Sequence, residues 1–179
     1  MEDTIKDTKV NTIRIAGIVR ESIVDGPGLR FAVFCQGCPH GCKGCHNQET
    51  HDFLGGYDCE IQKILDAIDQ NPLLDGVTFS GGEPLCQPKA FYQLGMEVKK
   101  RNLNLVVYTG YTYEALQSMQ EKNPALKGLL SLTDLLIDGK FQEDEKDLTL
   151  LFRGSRNQRV IDMNLTRVNG ELTLAEKYL

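Results

Sequence analysis

No apolar run in this 179-residue chain approaches the roughly 20 residues needed to cross a bilayer, which argues against a membrane protein. The start, Met1-Glu-Asp-Thr-Ile-Lys6, has neither the basic first residues nor the apolar stretch of a secretory signal. With nothing pointing to export, the six cysteines read as reduced thiols of a cytoplasmic protein and not as a disulfide framework. Basic charge is also short. Lys and Arg number 20 against 25 Asp and Glu, so the net charge is −5, which argues against general nucleic-acid binding. Repeats, low-complexity tracts and inter-domain linkers are missing. The length suits one domain, residues 1–179, and the polar first ten residues read as loose. Histidine is scarce too. All three, His40, His46 and His51, fall in or just after one cysteine-rich loop.

That loop reads Cys35-Gln-Gly-Cys38-Pro-His-Gly-Cys42-Lys-Gly-Cys45-His-Asn47. Cys38, Cys42 and Cys45 stand at C-x3-C-x2-C spacing. Three thiolates on one short loop suit three irons of a cubane cluster, and the fourth iron is left with an open position. An open position on a protein metal marks a reaction site more than a structural plug. A zinc ribbon would need two C-x-x-C pairs set well apart, and here they are only three residues apart. Zinc stays as the rival reading. Disulfides between such close neighbours would be strained.

Along the chain, short apolar strands alternate with helical patterns, the signature of an α/β fold around a parallel sheet. Residues 12–19 and 31–35 read as strands, joined by the turn Val24-Asp-Gly-Pro-Gly28. Residues 60–70 read as a helix with Ile61, Ile64, Leu65 and Ile68 on one face and Asp58 as its N-cap. Residues 76–79 are a strand leading into Ser80-Gly-Gly-Glu-Pro84. A helix over 89–101 buries Phe91, Leu94 and Val98. Residues 103–108 and 135–137 read as strands. Helices are expected over 113–122 and after Pro124, and strands near 158–162 and 165–168. The polar and cysteine segments each follow a strand, after Cys35, Phe79, Tyr108 and Ile137. In parallel βα folds, sites collect at that end. The acidic run Glu143–Asp147 reads as a solvated turn. Cys59 and Cys86 read as small buried residues and Cys35 as a non-ligand.

Five segments in this order resemble the radical S-adenosylmethionine superfamily: Val24–Gly28, Cys38-x3-Cys42-x2-Cys45, Cys45-His-Asn47, Ser80–Pro84, and Asp134–Phe141 with Leu151–Arg159. They are most similar to glycyl-radical-enzyme activases, in the branch that serves the anaerobic ribonucleoside-triphosphate reductase. The resemblance implies a shortened partial (β/α) barrel with parallel strands inside and helices outside. It implies a [4Fe-4S] cluster on Cys38, Cys42 and Cys45, with S-adenosylmethionine chelating the open iron. The reductase is then the macromolecular partner, and reduced flavodoxin or a similar protein the electron donor. Cofactor contacts are expected from Gly44, Cys45, His46, Gly81, Gly82, Glu83 and Lys140. Gly81 and Gly82 would admit the methionine part, Glu83 would accept from its ammonium, and Lys140 would pair with its carboxylate. Gly44 stands where many members carry an aromatic residue near the adenine. Tyr108-Thr109 replaces the Asp-Thr pair of related activases, which leaves a cation site at Asp138 without half its pattern. Arg153, Arg156 and Arg159 suit a docked peptide. Cys59 is the only cysteine between the loop and Gly81, so activases with added ferredoxin-like domains are disfavoured. A pyruvate formate-lyase activase is the nearer alternative, and a zinc-binding adaptor the alternative of another class.

Overall fold

Runs of Val, Ile, Leu and Phe that are apolar on consecutive residues fit strands covered on both faces. The computed structural model describes residues 9–179, and the loose start expected above falls largely on residues 1–8, outside them. The strands are β1 (Thr12–Ser22), β2 (Arg30–Cys35), β3 (Tyr57–Glu60), β4 (Gly76–Gly81), β5 (Asn104–Tyr108), β6 (Leu135–Asp138) and β7 (Arg159–Asp162). The helices are α1 (Ile61–Asp69), α2 (Pro88–Lys100), α3 (Tyr113–Gln120), α4 (Pro124–Leu132) and α5 (Met163–Asn169).

All seven strands form one sheet in the order β3-β1-β2-β4-β5-β6-β7. β2, β4, β5 and β6 run parallel, whereas β1, β3 and β7 pair antiparallel. The expectation of a parallel sheet therefore holds for four strands and is corrected for three. The sheet has two apolar faces. The larger core joins Phe31, Val33, Val77, Phe79, Leu105 and Val107 to the buried faces of α1, α2 and α4. The smaller joins Val106, Leu135, Ile137, Val160 and Ala175. Alternate residues of one strand thus serve opposite faces, as the pleat requires.

α1 buries Ile61, Ile64, Leu65 and Ile68, the face the spacing predicts. Its N-cap is Glu60 and not Asp58. Asp58 lies in β3, opposite Arg14 of β1. β3 is four residues with three exposed, so it carries no hydrophobic signal. The expected strand at 165–168 is α5 instead. The Asp162 carboxylate accepts from the Leu165 N–H at 2.9 Å, and Gly170 closes the helix in the left-handed region at φ 74°. Leu165 and Val168, three apart and both exposed, follow helical spacing and not a strand's alternation.

The amino end of β2 is closed by Arg30, whose side chain is fully buried. Nε donates to Thr78 Oγ1 at 2.7 Å and Nη1 to the Pro27 carbonyl at 2.9 Å. Nη2 reaches the Val77 carbonyl at 2.8 Å and Asn104 at 3.0 Å. Burial brings the guanidinium down to about 10. This stitch across β2, β4 and β5 fixes the strands whose other ends carry the cysteine loop.

Candidate functional site

Because β2, β4, β5 and β6 are parallel, the segments after Cys35, Gly81, Tyr108 and Asp138 emerge on one side of the sheet. They enclose a cavity of about 420 Å³, within the usual range for small ligands. Cys38, Cys42 and Cys45 all line it, facing Ser80, Gly81 and Gly82 from β4 and Tyr108 to Gly110 from β5. Lys140, Phe141, Gly154 and Gln158 close the far side, and Val24 and Asp25 contribute from the turn before β2.

The cysteine loop is held at its base by the sheet ladder. The Gly82 N–H donates to the Cys35 carbonyl at 2.7 Å and the Glu83 N–H to the Gly37 carbonyl at 2.8 Å. On the other side the Gly37 N–H donates to Thr50 and the Cys38 N–H to His51. Between these anchors the three thiols are half-buried. Burial raises Cys38 and Cys45 above the ordinary thiol range. Metal coordination would reverse that by deprotonating them outright. Among the described residues, no group of three or more His, Cys, Asp or Glu is gathered closely enough to hold a single metal ion. Cys38, Cys42 and Cys45 share one cavity wall, and thiols are the donors that an iron–sulfur cluster takes, with cavity volume left for a further ligand.

The other cysteines behave differently. Cys35 is fully buried, takes a hydrogen bond from Gln87 Nε2 at 3.0 Å, and is pushed up to about 12 by burial. Cys59 is half-buried and Cys86 exposed, so the expectation of two buried small residues is corrected. Neither lines the cavity.

Of the expected cofactor contacts, Cys45, His46, Gly81, Gly82 and Lys140 line the cavity, and Gly44 and Glu83 do not. Gly81 and Gly82 line the cavity, but a Cβ on Gly81 would stand 2.6 Å from the Cys35 nitrogen. One on Gly82 would strike the Gly37 carbonyl. Glycine is needed here so that β4 can pack against the base of the cysteine loop. Glu83 is fully buried, behind the lining residues His40, Thr109 and Gly110 that donate to it. Oε1 accepts from the Leu85 N–H at 3.1 Å; Oε2 accepts from His40 Nε2 at 2.6 Å, Thr109 Oγ1 at 3.0 Å and the Gly110 N–H at 2.8 Å. Those four donors leave it no role toward a ligand's ammonium. Gly44 is not on the lining; its φ is 73°, and a Cβ there would stand 3.0 Å from Glu143. Cys45 and His46 do line the cavity, with the His46 ring edge-on to Phe141 at 5.6 Å.

The far side is built from the tail. Gln158 Nε2 donates to the Gly139 carbonyl at 3.0 Å, while its Oε1 accepts from the Gly154 and Ser155 N–H groups. Two of the three arginines are tied to the chain's own groups. Arg159 grips Asp138 through Nε at 3.0 Å and Nη2, and forks onto Glu114 at 3.0 and 2.8 Å. Asp138 also accepts from the Tyr113 N–H, so its carboxylate is taken up by Arg159 and by the first residue of α3. Arg153 donates to the Gln158 and Tyr178 carbonyls. Only Arg156 is exposed, 3.8 Å from Asp147. The acidic run is solvated as expected, with Glu143 paired to Lys43 of the cysteine loop at 3.2 Å. Sequence reasoning passed over Phe34, Tyr108 and Phe141 as lining residues. Their signal was position, at or just beyond a strand end.

Comparison with known proteins agrees with this geometry. A family described as "4Fe-4S single cluster domain" matches residues 24–161. The anaerobic ribonucleoside-triphosphate reductase-activating protein of Pasteurella multocida is 37% identical over 145 residues, covering 76% of this chain and 89% of that one. The protein of that name from Escherichia coli K12 is 35% identical over 146 residues, covering 77% and 91%. A pyruvate formate-lyase-activating enzyme from Clostridium pasteurianum is 33% identical over 150 residues, covering 80% of this chain but 59% of its own length.

Proposed function

The chain belongs to the 4Fe-4S single cluster family, among the anaerobic ribonucleoside-triphosphate reductase-activating proteins, and from that membership we propose how its site works. It is a radical S-adenosylmethionine enzyme that activates the anaerobic ribonucleoside-triphosphate reductase by raising a glycyl radical on it. The observation that carries this is the grouping of three half-buried thiols on one cavity wall, at the carboxyl ends of four parallel strands.

Cys38, Cys42 and Cys45 would hold the cluster, and their number leaves one iron open to the amino and carboxylate groups of S-adenosylmethionine. When bound and reduced by an external electron donor, the cluster would supply one electron for reductive cleavage of S-adenosylmethionine, the chemistry by which a glycine Cα hydrogen would be removed. The chain's own part is to bind, orient and shield. Backbone around Ser80–Gly82, pressed against the loop base, would place acceptors for the ammonium. Lys140, an exposed cation on the lining, suits the methionine carboxylate. The strip from Cys45 to Asn47 would border the adenine. Phe34, Tyr108 and Phe141 supply apolar wall.

Further features of the reading are architectural. The sheet, apolar on both faces, is taken as an incomplete barrel in a single domain. Its mouth would admit a loop of the reductase from the side. Among the described residues no helix is long and apolar enough to cross a membrane. A cytoplasmic setting with reduced flavodoxin or a similar donor fits the reduced thiols. The test is direct. Anaerobic protein, reductant, S-adenosylmethionine and reductase should give a glycyl doublet in the electron paramagnetic resonance spectrum. A doublet on pyruvate formate-lyase and none on the reductase would move the assignment to the related activase.

A further inference from the structure

The connection between β6 and β7 is polar except for one stretch, Leu148-Thr-Leu-Leu-Phe152. Leu148 is 78% exposed and Leu151 52%, with Leu150 half-buried between them. The loop that carries them is closed and not slack. At its base the Asp147 N–H donates to the Gly154 carbonyl at 3.2 Å, and the Arg156 N–H to the Glu145 carbonyl at 2.9 Å. The Asp147 carboxylate accepts from the Thr149 N–H at 2.9 Å and the Thr149 hydroxyl at 2.6 Å. Phe152 takes the left-handed region at φ 59°, uncommon for a bulky residue, and its ring lies edge-on to Tyr178 at 5.2 Å. The phenylalanine is thus held against the protein while Leu148 and Leu151 are held out in water.

This tip adjoins the cavity. Gly154 is on the lining, and Leu148 directly follows the residue bonded to it. Leu151 is three residues from Gly154, at most about 11 Å along the chain. The neighbouring arginines offer a partner little, because Arg153 and Arg159 are bonded to the chain's own groups. We propose that Leu148 and Leu151 form an apolar docking contact for the anaerobic reductase, received by an apolar patch of that protein beside its target glycine. The inference rests on the function proposed above, which brings a glycine of a second protein to this cavity and so lays that protein's surface on the rim. Exposed leucines on a closed loop can be buried there with little further ordering, which is what a preorganised contact requires.

The test uses full-length protein, reconstituted anaerobically, as wild type, the double variant Leu148→Ser with Leu151→Ser, and Leu73→Ser. Leu73 is 75% exposed but precedes β4, at the opposite end of the parallel strands. Iron content and S-adenosylmethionine cleavage without reductase are measured first. The yield of glycyl radical is then followed by electron paramagnetic resonance as reductase concentration is raised. Iron and uncoupled cleavage should be equal in all three. The half-maximal reductase concentration should rise about tenfold in the double variant and stay at the wild-type value in Leu73→Ser. An unchanged concentration dependence, or an equal rise in Leu73→Ser, overturns the proposal. An equal fall in uncoupled cleavage also overturns it, since the tip would then support the cavity. Sedimentation of the protein alone covers the remaining occupant: a wild-type dimer that the double variant breaks would assign the tip to a second copy of this chain and overturn the proposal. Wild-type protein that raises no radical on the reductase overturns the proposed function and this inference together, whereas normal wild-type activation matched by the double variant removes only the docking contact.

Discussion

The two ends of β2 handle ionisable groups in opposite ways. At the amino end Arg30 is fully buried, and each of its nitrogens has a partner across β4 and β5 or in the turn before β2. At the carboxyl end, seven residues beyond Phe31, the chain turns into a loop whose three thiols are half-buried against an open cavity. Removing a charged group from water costs several kcal/mol unless hydrogen bonds replace the lost hydration. The amino end meets that requirement internally and so reads as structure. At the carboxyl end Glu83 is likewise paired, but the three thiols stay half-buried against the cavity, open to a further ligand.

Substitutions should separate the ends. Replacing Cys38, Cys42 or Cys45 with alanine is expected to abolish iron uptake and 5′-deoxyadenosine formation while leaving the thermal midpoint of the apoprotein near wild type. Replacing Cys35, Cys59 or Cys86 should spare both, as iron, sulfide and product assays would register. Arg30→Met should do the reverse. Leaving Thr78, Val77 and Asn104 without their donor is expected to cost about 3 kcal/mol in urea unfolding, while the protein that remains folded still takes up iron. Loss of cluster binding without loss of stability in Arg30→Met would break the comparison.

Two smaller effects would sharpen it. Lys140→Met should weaken S-adenosylmethionine binding about tenfold, near 1.4 kcal/mol, with iron content unchanged, as a binding titration on the reconstituted protein would show. The smallest effect concerns Glu114, which its fork from Arg159 holds down to about 2. Its folded value lies below its unfolded one, so its contribution is present above about 4.5 and fades as pH falls toward about 2. The pair is solvent-exposed on the Glu114 side, which limits the gain to a few tenths of a kcal/mol. Glu114→Gln should narrow the stability gap between pH 6 and pH 3 by that amount in urea melts.

The site was legible in the chain to the extent that chemistry is local. Three cysteines on eight residues, and polar segments following four strands, are properties of spacing, and folding into a parallel sheet brings them together. What was illegible depended on partners distant in sequence. Glu83 looks like a free acid beside two glycines, yet it meets His40 from 43 residues before and Thr109 from 26 after. Arg159 looks like surface charge, but Asp138 and Glu114 claim it. Among elements, β3 is short and polar, so pairing with β1 and not burial defines it. At α5 the Asp162 cap and the Gly170 stop make a helix, and a strand reading of 165–168 passed over both.

The central claim is that the loop thiols hold an iron–sulfur cluster with one iron open to S-adenosylmethionine. Metal analysis with electron paramagnetic resonance of the reduced, anaerobically prepared protein tests it, recorded with and without S-adenosylmethionine. The account predicts about four irons per chain and a [4Fe-4S]⁺ spectrum whose shape changes on adding S-adenosylmethionine. Colourless protein holding zinc, or a cluster spectrum indifferent to S-adenosylmethionine, would contradict it.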